Sequence, residues 1–198
     1  MSDSRAQIRK SIRELRNNLS NEQQNLASQS LSMNFIQYLK TKKTAKNQHI
    51  AIYLSNNGEL DTSLLIKELW NLNHVIYLPV IHPFNGATLL FQRYEKNSPM
   101  KANRYGIFEP KLNCSQICPL PELDYLLMPL VAFDNQGNRL GMGGGFYDRT
   151  LARLHDENWQ KPRLIGLAHE CQKVDVLPIE SWDVPLKTII TPNKNYCW

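Results

Sequence analysis

Hydrophobic residues recur along this chain with two different periods. Apolar spacings of three and four residues predict helices, and short unbroken apolar runs predict buried strands. The helical spacing first covers residues 5–18, where Ile8, Ile12, Leu15 and Leu19 form one stripe. We expect a first helix there, with this stripe facing the core.

A second helix is predicted to begin after Ser20. The segment "SNEQ" fits a capping box, in which the side chains of Ser20 and Gln23 each accept a hydrogen bond from the other's backbone N–H. The same spacing places Leu26, Met33, Ile36 and Leu39 on the inward face of this helix.

Strand and helix patterns alternate through the rest of the chain. Strands are predicted at residues 50–55, 75–81, 88–94, 124–133, 163–168 and 188–191. Helices are predicted at residues 61–73, with Asp61 or Thr62 as N-cap, and 146–156. This alternation is typical of an α/β domain with a mostly parallel sheet flanked by helices, a Rossmann-like three-layer fold. With no evident linker, residues 1–198 are expected to form a single domain that begins with a basic helix.

Composition narrows the class of protein. Of the 198 residues, 42% are hydrophobic and 21% are charged, close to the averages of soluble domains. The apolar run "YLLMPLVAF" is about half as long as a bilayer span, and no secretory signal is recognisable, so we expect a cytoplasmic protein without a membrane partner. The four cysteines have no zinc-site spacing and are expected to be reduced. The net charge of +5 suits nucleic acid, a membrane surface or an anionic small molecule.

The segment "RLGMGGGFYDR" at residues 139–149 carries the main candidate chemistry. A strand, a glycine-rich turn and a helix bring backbone N–H groups and a helix dipole together on an anion. A Cβ at these glycines would block phosphate or forbid positive φ; they are Gly141, Gly143, Gly144 and Gly145. The alternative is a plain flexible turn. The segment is neither a P-loop, which needs G-K-[ST], nor a dinucleotide fingerprint, because position 146 is Phe.

Charged residues near this segment suit a polyphosphate. Asp148 could hold a Mg²⁺ that bridges phosphates, and Arg139 could neutralise their charge. Arg5, Arg9 and Arg13 recur every four residues and form a basic ridge whose mutual repulsion an anion would relieve. The alternatives are a first-turn acid, a solvated loop cation and a solvated helix face.

Five segments together resemble the 5-formyltetrahydrofolate cyclo-ligase family, also called methenyltetrahydrofolate synthetases. They are "RAQIRKSIRELRNNLS", "IAIYLSNNGELDT", "YGIFEP", "MPLVAFDNQGNRLGMGGGFYDR" and "LPIESWDVPLKTIIT". The resemblance implies that Mg-ATP drives the cyclisation of 5-formyltetrahydrofolate to 5,10-methenyltetrahydrofolate with release of ADP and phosphate. The formyl oxygen would be phosphorylated, and nitrogen 10 would then attack the activated carbon.

The resemblance also implies roles for individual residues. Arg139 and Tyr147 would be catalytic, and Asp148 and Asp183 would hold Mg²⁺. ATP would contact Arg5, Arg9, Arg139, Leu140, Gly141, Met142, Gly143, Gly144, Gly145, Phe146 and Tyr147. The folate, with or without a polyglutamate tail, would contact Leu54, Glu59, Met142, Gly143, Gly144, Gly145 and Phe146. Arg5 and Phe146 depart from the family's usual Lys and Tyr.

Two other functions stay open at this point. A nucleic-acid-binding protein could use the basic ridge, although residues 5–18 include no aromatic side chain for base stacking. A nucleotide sensor could use the same loop without catalysis. The cyclo-ligase hypothesis instead predicts a monomer that does not bind nucleic acid.

Overall fold

The computed structural model describes residues 2–42, 47–156, 161–180 and 182–198. Within these residues the α-helices are α1 (Ser2–Asn17), α2 (Asn21–Thr41), α3 (Ser63–Asn71) and α4 (Phe146–Asp156). The strands are β1 (His49–Ala51), β2 (Val75–Ile81), β3 (Leu89–Arg93), β4 (Met100–Ala102), β5 (Phe108–Pro110), β6 (Ile117–Cys118), β7 (Tyr125–Pro129), β8 (Ala132–Phe133), β9 (Arg139–Leu140), β10 (Arg163–Leu167), β11 (Thr188–Ile190) and β12 (Asn195–Cys197).

Eight of these strands form one sheet in the order β12-β11-β10-β7-β1-β2-β3-β6. The five strands from β11 to β2 pair in parallel. The outer strands β12, β3 and β6 pair antiparallel. The predicted α/β fold with a mostly parallel sheet is therefore confirmed. Since the parallel strands end at one edge, the loops that follow them gather there.

Both faces of this sheet are covered. Along β7, Tyr125 and Leu127 point into the core formed with α2 and α3, whereas Leu126 and Met128 point into the core on the opposite face, beside α4. A strand that is buried on both sides needs an unbroken apolar sequence, which explains the run that the sequence has there.

The predicted inward stripe of α1 is wrong at one position. Leu15 is exposed, and the neighbouring Arg16 is completely buried beside Ile12 on the inward side of the helix. A charged side chain at an inward position cannot be identified by a rule that counts only apolar residues.

The capping box at the start of α2 is confirmed, because Ser20 Oγ accepts from the Gln23 N–H at 3.2 Å and Gln23 Oε1 accepts from the Ser20 N–H at 2.8 Å. The inward face is wrong in part, since Leu26 and Met33 are exposed. The buried face instead follows the helical spacing of Leu31, Phe35, Tyr38 and Leu39, which packs against the sheet and α3.

Some element boundaries also differ from the prediction. The predicted strand 124–133 is interrupted after Pro129 and continues as β8, which pairs with β9 in a separate two-stranded sheet. The hairpin of β4 and β5 was not predicted, and it borders the cavity described below. Among the described residues, no helix has the length and apolar character that a bilayer crossing requires.

Candidate active site

The glycine segment lies between β9 and α4, so the predicted order of strand, glycine-rich turn and helix is confirmed. Gly143 and Gly145 adopt positive φ values of 100° and 64°. A Cβ on Gly145 would also lie 2.6 Å from Nη1 of Arg149. Gly141 and Gly144 do not have positive φ, so the conformational requirement for glycine applies to two of the four positions.

The backbone N–H groups of this segment are available to a ligand. Within the described part of the chain, the amides of residues 141–145 donate no hydrogen bond to another protein group. The N-terminus of α4 follows directly at Phe146 and adds the positive end of its dipole. Free amides at a helix N-terminus are the usual protein site for phosphate.

Arginines from α1 contact the carbonyl side of the same segment. Arg9 Nε donates to the Gly141 carbonyl oxygen at 2.8 Å, and Arg13 Nη2 donates to that of Met142 at 3.4 Å. Both arginines contact protein groups instead of forming a free basic surface, which weakens the nucleic-acid alternative. Burial and the nearby charges of Arg5 and Arg13 lower the pKa of Arg9, so these side chains repel one another as predicted.

The two predicted metal ligands are each paired with an arginine. Asp183 accepts from both terminal nitrogens of Arg5, at 3.0 and 3.2 Å, and Asp148 accepts from Arg139 Nη2. Both carboxylates act on Arg139, whose pKa is lowered by burial and raised in part by these two charges. Among the described residues, no cluster of three or more acidic, Cys or His side chains could hold a metal ion by itself. Two carboxylates nevertheless fit Mg²⁺, which often takes one or two protein ligands together with substrate phosphates.

A cavity of about 450 Å³ opens beside the glycine segment, large enough for a drug-sized ligand. It lies between the carboxyl ends of β1 and β2, the β4–β5 hairpin and the start of α4. Its walls are formed by Tyr53, Leu54, Asn56, Asn57, Glu59, Leu78, Pro79, Ile81, Leu89, Asn103, Tyr105, Ile107, Phe108, Glu109, Pro129, Arg139, Gly141, Met142, Gly144, Gly145, Phe146, Tyr147 and Asp148.

Most of the predicted site residues therefore meet at one cavity. The exceptions include Gly143, which does not line it, and Leu140, whose side chain is buried in a separate cluster with Ile12. Arg5 and Asp183 pair with each other outside its walls. The predicted role of Leu140 in binding ATP could then involve only its backbone.

Glu59 gives the cavity its most perturbed carboxyl group. Burial raises the pKa of Glu59 to about 7, although the Asn56 N–H and the charges of Arg16 and Arg13 act to lower it. The Tyr147 hydroxyl is buried close enough to interact electrostatically with both Glu59 and Arg139, and burial raises the pKa of Tyr147. Tyr147 thus lies between the Glu59 side of the cavity and the glycine segment.

Several cavity residues were missed at the sequence level. Glu109, in the quoted segment "YGIFEP", is buried and accepts from the Ile81 N–H and from Asn103 Nδ2, both at 3.2 Å. The bond from Ile81 attaches the β4–β5 hairpin to β2, and the bond from Asn103 lies within the hairpin itself. Tyr105 also lines the cavity and contacts Phe146 edge to face, with ring centroids 5.9 Å apart. Turn residues around "YG" were the available signal.

Comparison with known proteins finds relatives that match nearly the whole chain. A 5-formyltetrahydrofolate cyclo-ligase from Haemophilus influenzae is 52% identical over 94% of this chain and 96% of its own length. A protein of the same name from Escherichia coli K12 is 46% identical over 94% of this chain and 100% of its own. The solved structure of the Aquifex aeolicus 5,10-methenyltetrahydrofolate synthetase superposes with a TM-score of 0.75 at 28% identity, covering 98% of this chain and 92% of the other.

The similarity is not confined to the glycine segment. The sequence profile of the 5-formyltetrahydrofolate cyclo-ligase family matches residues 1–192, which include α1, the cavity walls and the Asp183 segment. The chain therefore belongs to the 5-formyltetrahydrofolate cyclo-ligase family.

Proposed function

We propose that this protein is an ATP- and Mg²⁺-dependent 5-formyltetrahydrofolate cyclo-ligase. The γ-phosphoryl group of ATP is transferred to the formyl oxygen of 5-formyltetrahydrofolate, which turns a poor leaving group into a good one. Nitrogen 10 attacks the formyl carbon and loses its proton, the C–O bond breaks, and phosphate and 5,10-methenyltetrahydrofolate are formed. The observation that supports this proposal best is the cavity that joins Glu59 to a glycine segment with free amides.

The glycine segment is the proposed phosphate site. The backbone N–H groups of residues 141–145 donate hydrogen bonds to phosphate oxygens. Arg9 holds the segment against α1 by donating to the Gly141 carbonyl oxygen. Asp148 and Asp183 would hold Mg²⁺, which neutralises phosphate charge when it is bound. Because both carboxylates are paired with arginines, phosphates entering the site would compete for Arg5 and Arg139.

The apolar cavity is the proposed folate site. Leu54, Met142 and Phe146 supply apolar contacts, and Glu59 offers a carboxylate to the N–H groups of the pterin. No covalent protein intermediate is needed, so the protein acts by positioning and charge neutralisation.

Arg139 lies at the boundary between the two sites. Its guanidinium is buried, donates to the Val184 carbonyl oxygen and to Asp148, and lines the cavity. A cation fixed there would oppose the negative charge of the transferring phosphoryl group, and Tyr147, which interacts electrostatically with Arg139, would supply a hydroxyl. These roles, the monomeric state, acceptance of polyglutamylated folate and a cytoplasmic location stay predictions.

The test is direct. Purified protein with Mg-ATP and 5-formyltetrahydrofolate should generate the near-ultraviolet absorbance of the methenyl product, with ADP formed in equal amount. Omitting ATP or chelating the metal should abolish the signal. A flat trace from protein that is folded by circular dichroism would contradict the proposal, and ATP binding without turnover would favour the nucleotide sensor.

A further inference from the structure

Arg16 is a fully buried charged residue that has no role in the proposed contacts with ATP, Mg²⁺ or folate. Its side chain is completely buried near the C-terminal end of α1. Nη2 donates to the Asn57 carbonyl oxygen at 2.9 Å, but Nε and Nη1 have no hydrogen-bond partner among the described residues. An incompletely paired buried guanidinium destabilises a fold unless a nearby negative charge compensates it.

The carbonyl that Arg16 contacts belongs to the turn that presents Glu59. In this turn the Glu59 carboxylate accepts from the Asn56 N–H at 3.1 Å, and Asn57 and Gly58 have positive φ. The turn packs closely on the end of α1, because a Cβ on Gly58 would lie 2.6 Å from Oδ1 of Asn17. Arg16 therefore holds the backbone of the turn that carries Glu59, and the charge of Arg16 also acts on the Glu59 carboxyl group.

The hydrogen bond from the Asn56 N–H is the largest contribution that lowers the pKa of Glu59. The charge of Arg16 acts in the same direction and lowers the pKa of Glu59 more than the charge of Arg13 does. Burial has the larger, opposite effect, so the pKa of Glu59 is raised to about 7. The Tyr53 and Tyr147 hydroxyls face the same carboxyl group, and burial raises the pKa of both. His169, beside Arg16, has its pKa lowered to about 4 by burial and by the Arg16 charge, so it is neutral near pH 7.

We propose that Arg16 is a positioning residue for folate binding, which holds the turn of residues 56–59 against α1 and places a buried positive charge behind the Glu59 carboxyl group of the cavity. Arg16 does not line the cavity and so acts through Glu59. The inference rests on the proposed function, because it takes this cavity as the folate site.

The experiment measures binding without catalysis. The dissociation constant of 5-formyltetrahydrofolate is determined by titration calorimetry without ATP between pH 5.5 and 8.5. In the wild type, affinity should rise with pH through a midpoint near 7, as Glu59 ionises. R16Q can keep the hydrogen bond to Asn57 but lacks the charge, so its midpoint should move up by about one pH unit, which weakens binding about tenfold at pH 6. R16K keeps a charge and should restore the midpoint to within about half a unit of the wild type.

Controls separate this role from simple packing. Lys10 is exposed on the same helix, so K10Q should leave the midpoint unchanged. In an E59Q background, R16Q should cause no further pH-dependent change. If R16Q does not fold, R16M replaces the guanidinium with a side chain that can pack, and failure of both variants to fold would overturn the proposal by making Arg16 purely structural.

The remaining outcomes are also decisive. An unmoved midpoint in folded R16Q, or an equal shift in K10Q, would refute the role of Arg16 while leaving the proposed function intact. A wild type that does not bind the folate would refute the proposed function itself.

Discussion

Replacing Glu59 by Gln should make the protein more stable at neutral and alkaline pH. Glu59 is 8% exposed, so solvent screens its charge very little. Its pKa is raised from 4.5 to about 7, and at about 1.4 kcal/mol per pH unit this corresponds to about 3 kcal/mol against the ionised form in the folded protein. Gln carries no charge, so the variant avoids this free-energy cost, and Gln can still accept the hydrogen bond from the Asn56 N–H.

The sign of the pH dependence follows from proton linkage. Between pH 4.5 and 7 the folded protein binds the Glu59 proton more tightly than the unfolded chain, so wild-type stability falls as pH rises through this window. The E59Q variant lacks this loss. Its advantage in the free energy of unfolding should be about 1 kcal/mol at pH 5 and about 3 kcal/mol at pH 8.

Urea denaturation followed by circular dichroism at pH 5, 6, 7 and 8 measures this difference. Glu68 is exposed on α3, so E68Q serves as the matched control and should show no growing advantage. A difference between E59Q and wild type that stays constant from pH 5 to 8 would refute the reasoning. We also expect E59Q to bind 5-formyltetrahydrofolate weakly, because the substitution that stabilises the protein also removes the carboxylate proposed to bind the pterin.

Three further variants test the proposed site and its support. D148N should lower Mg²⁺-dependent turnover in a variant that still folds, and unchanged turnover at limiting Mg²⁺ would remove Asp148 from the metal site. G145A requires alanine at a φ of 64° and displaces Arg149, which costs about 1–2 kcal/mol of strain. ATP affinity, measured by calorimetry, should therefore fall by roughly five- to thirtyfold. Wild-type affinity would show that the segment does not hold phosphate as proposed. G137A places a Cβ 2.3 Å from the Leu186 carbonyl oxygen at a φ of 81°, at a residue that does not line the cavity, and should lower stability by more than about 2 kcal/mol; an unchanged melting temperature would contradict this.

Local patterns predicted the elements whose signals were unambiguous. Strand β2 covers Val75–Ile81 and helix α4 covers Phe146–Asp156, as expected from an apolar run and from a glycine-bounded helical segment. The capping box at Ser20 was predicted correctly for the same reason, because its residues interact within four positions. The glycine segment could also be located, since strand, turn and helix are adjacent in sequence.

Features that depend on distant parts of the chain could not be predicted. The burial of Arg16 depends on the turn that contains Asn57, 41 residues away. The pairing of Arg5 with Asp183 joins residues 178 positions apart. The resemblance could indicate that both charges belong to one site, but it could not show that the predicted ATP contact and the predicted metal ligand bind each other.

The contacts of α1 limit the sequence changes that this helix can accommodate. Arg9 contacts the glycine segment and Arg16 contacts the turn of Glu59. Arg16 is seven positions after Arg9 in the sequence, which corresponds to about 10 Å along the helix axis. Helix α1 thus links the proposed phosphate site to the proposed folate site, and its rise fixes the distance between these two arginine contacts. Inserting one residue between these arginines would turn Arg16 by about 100° away from its turn, so we expect α1 to accept exchanges of surface residues far more readily than any change in its length.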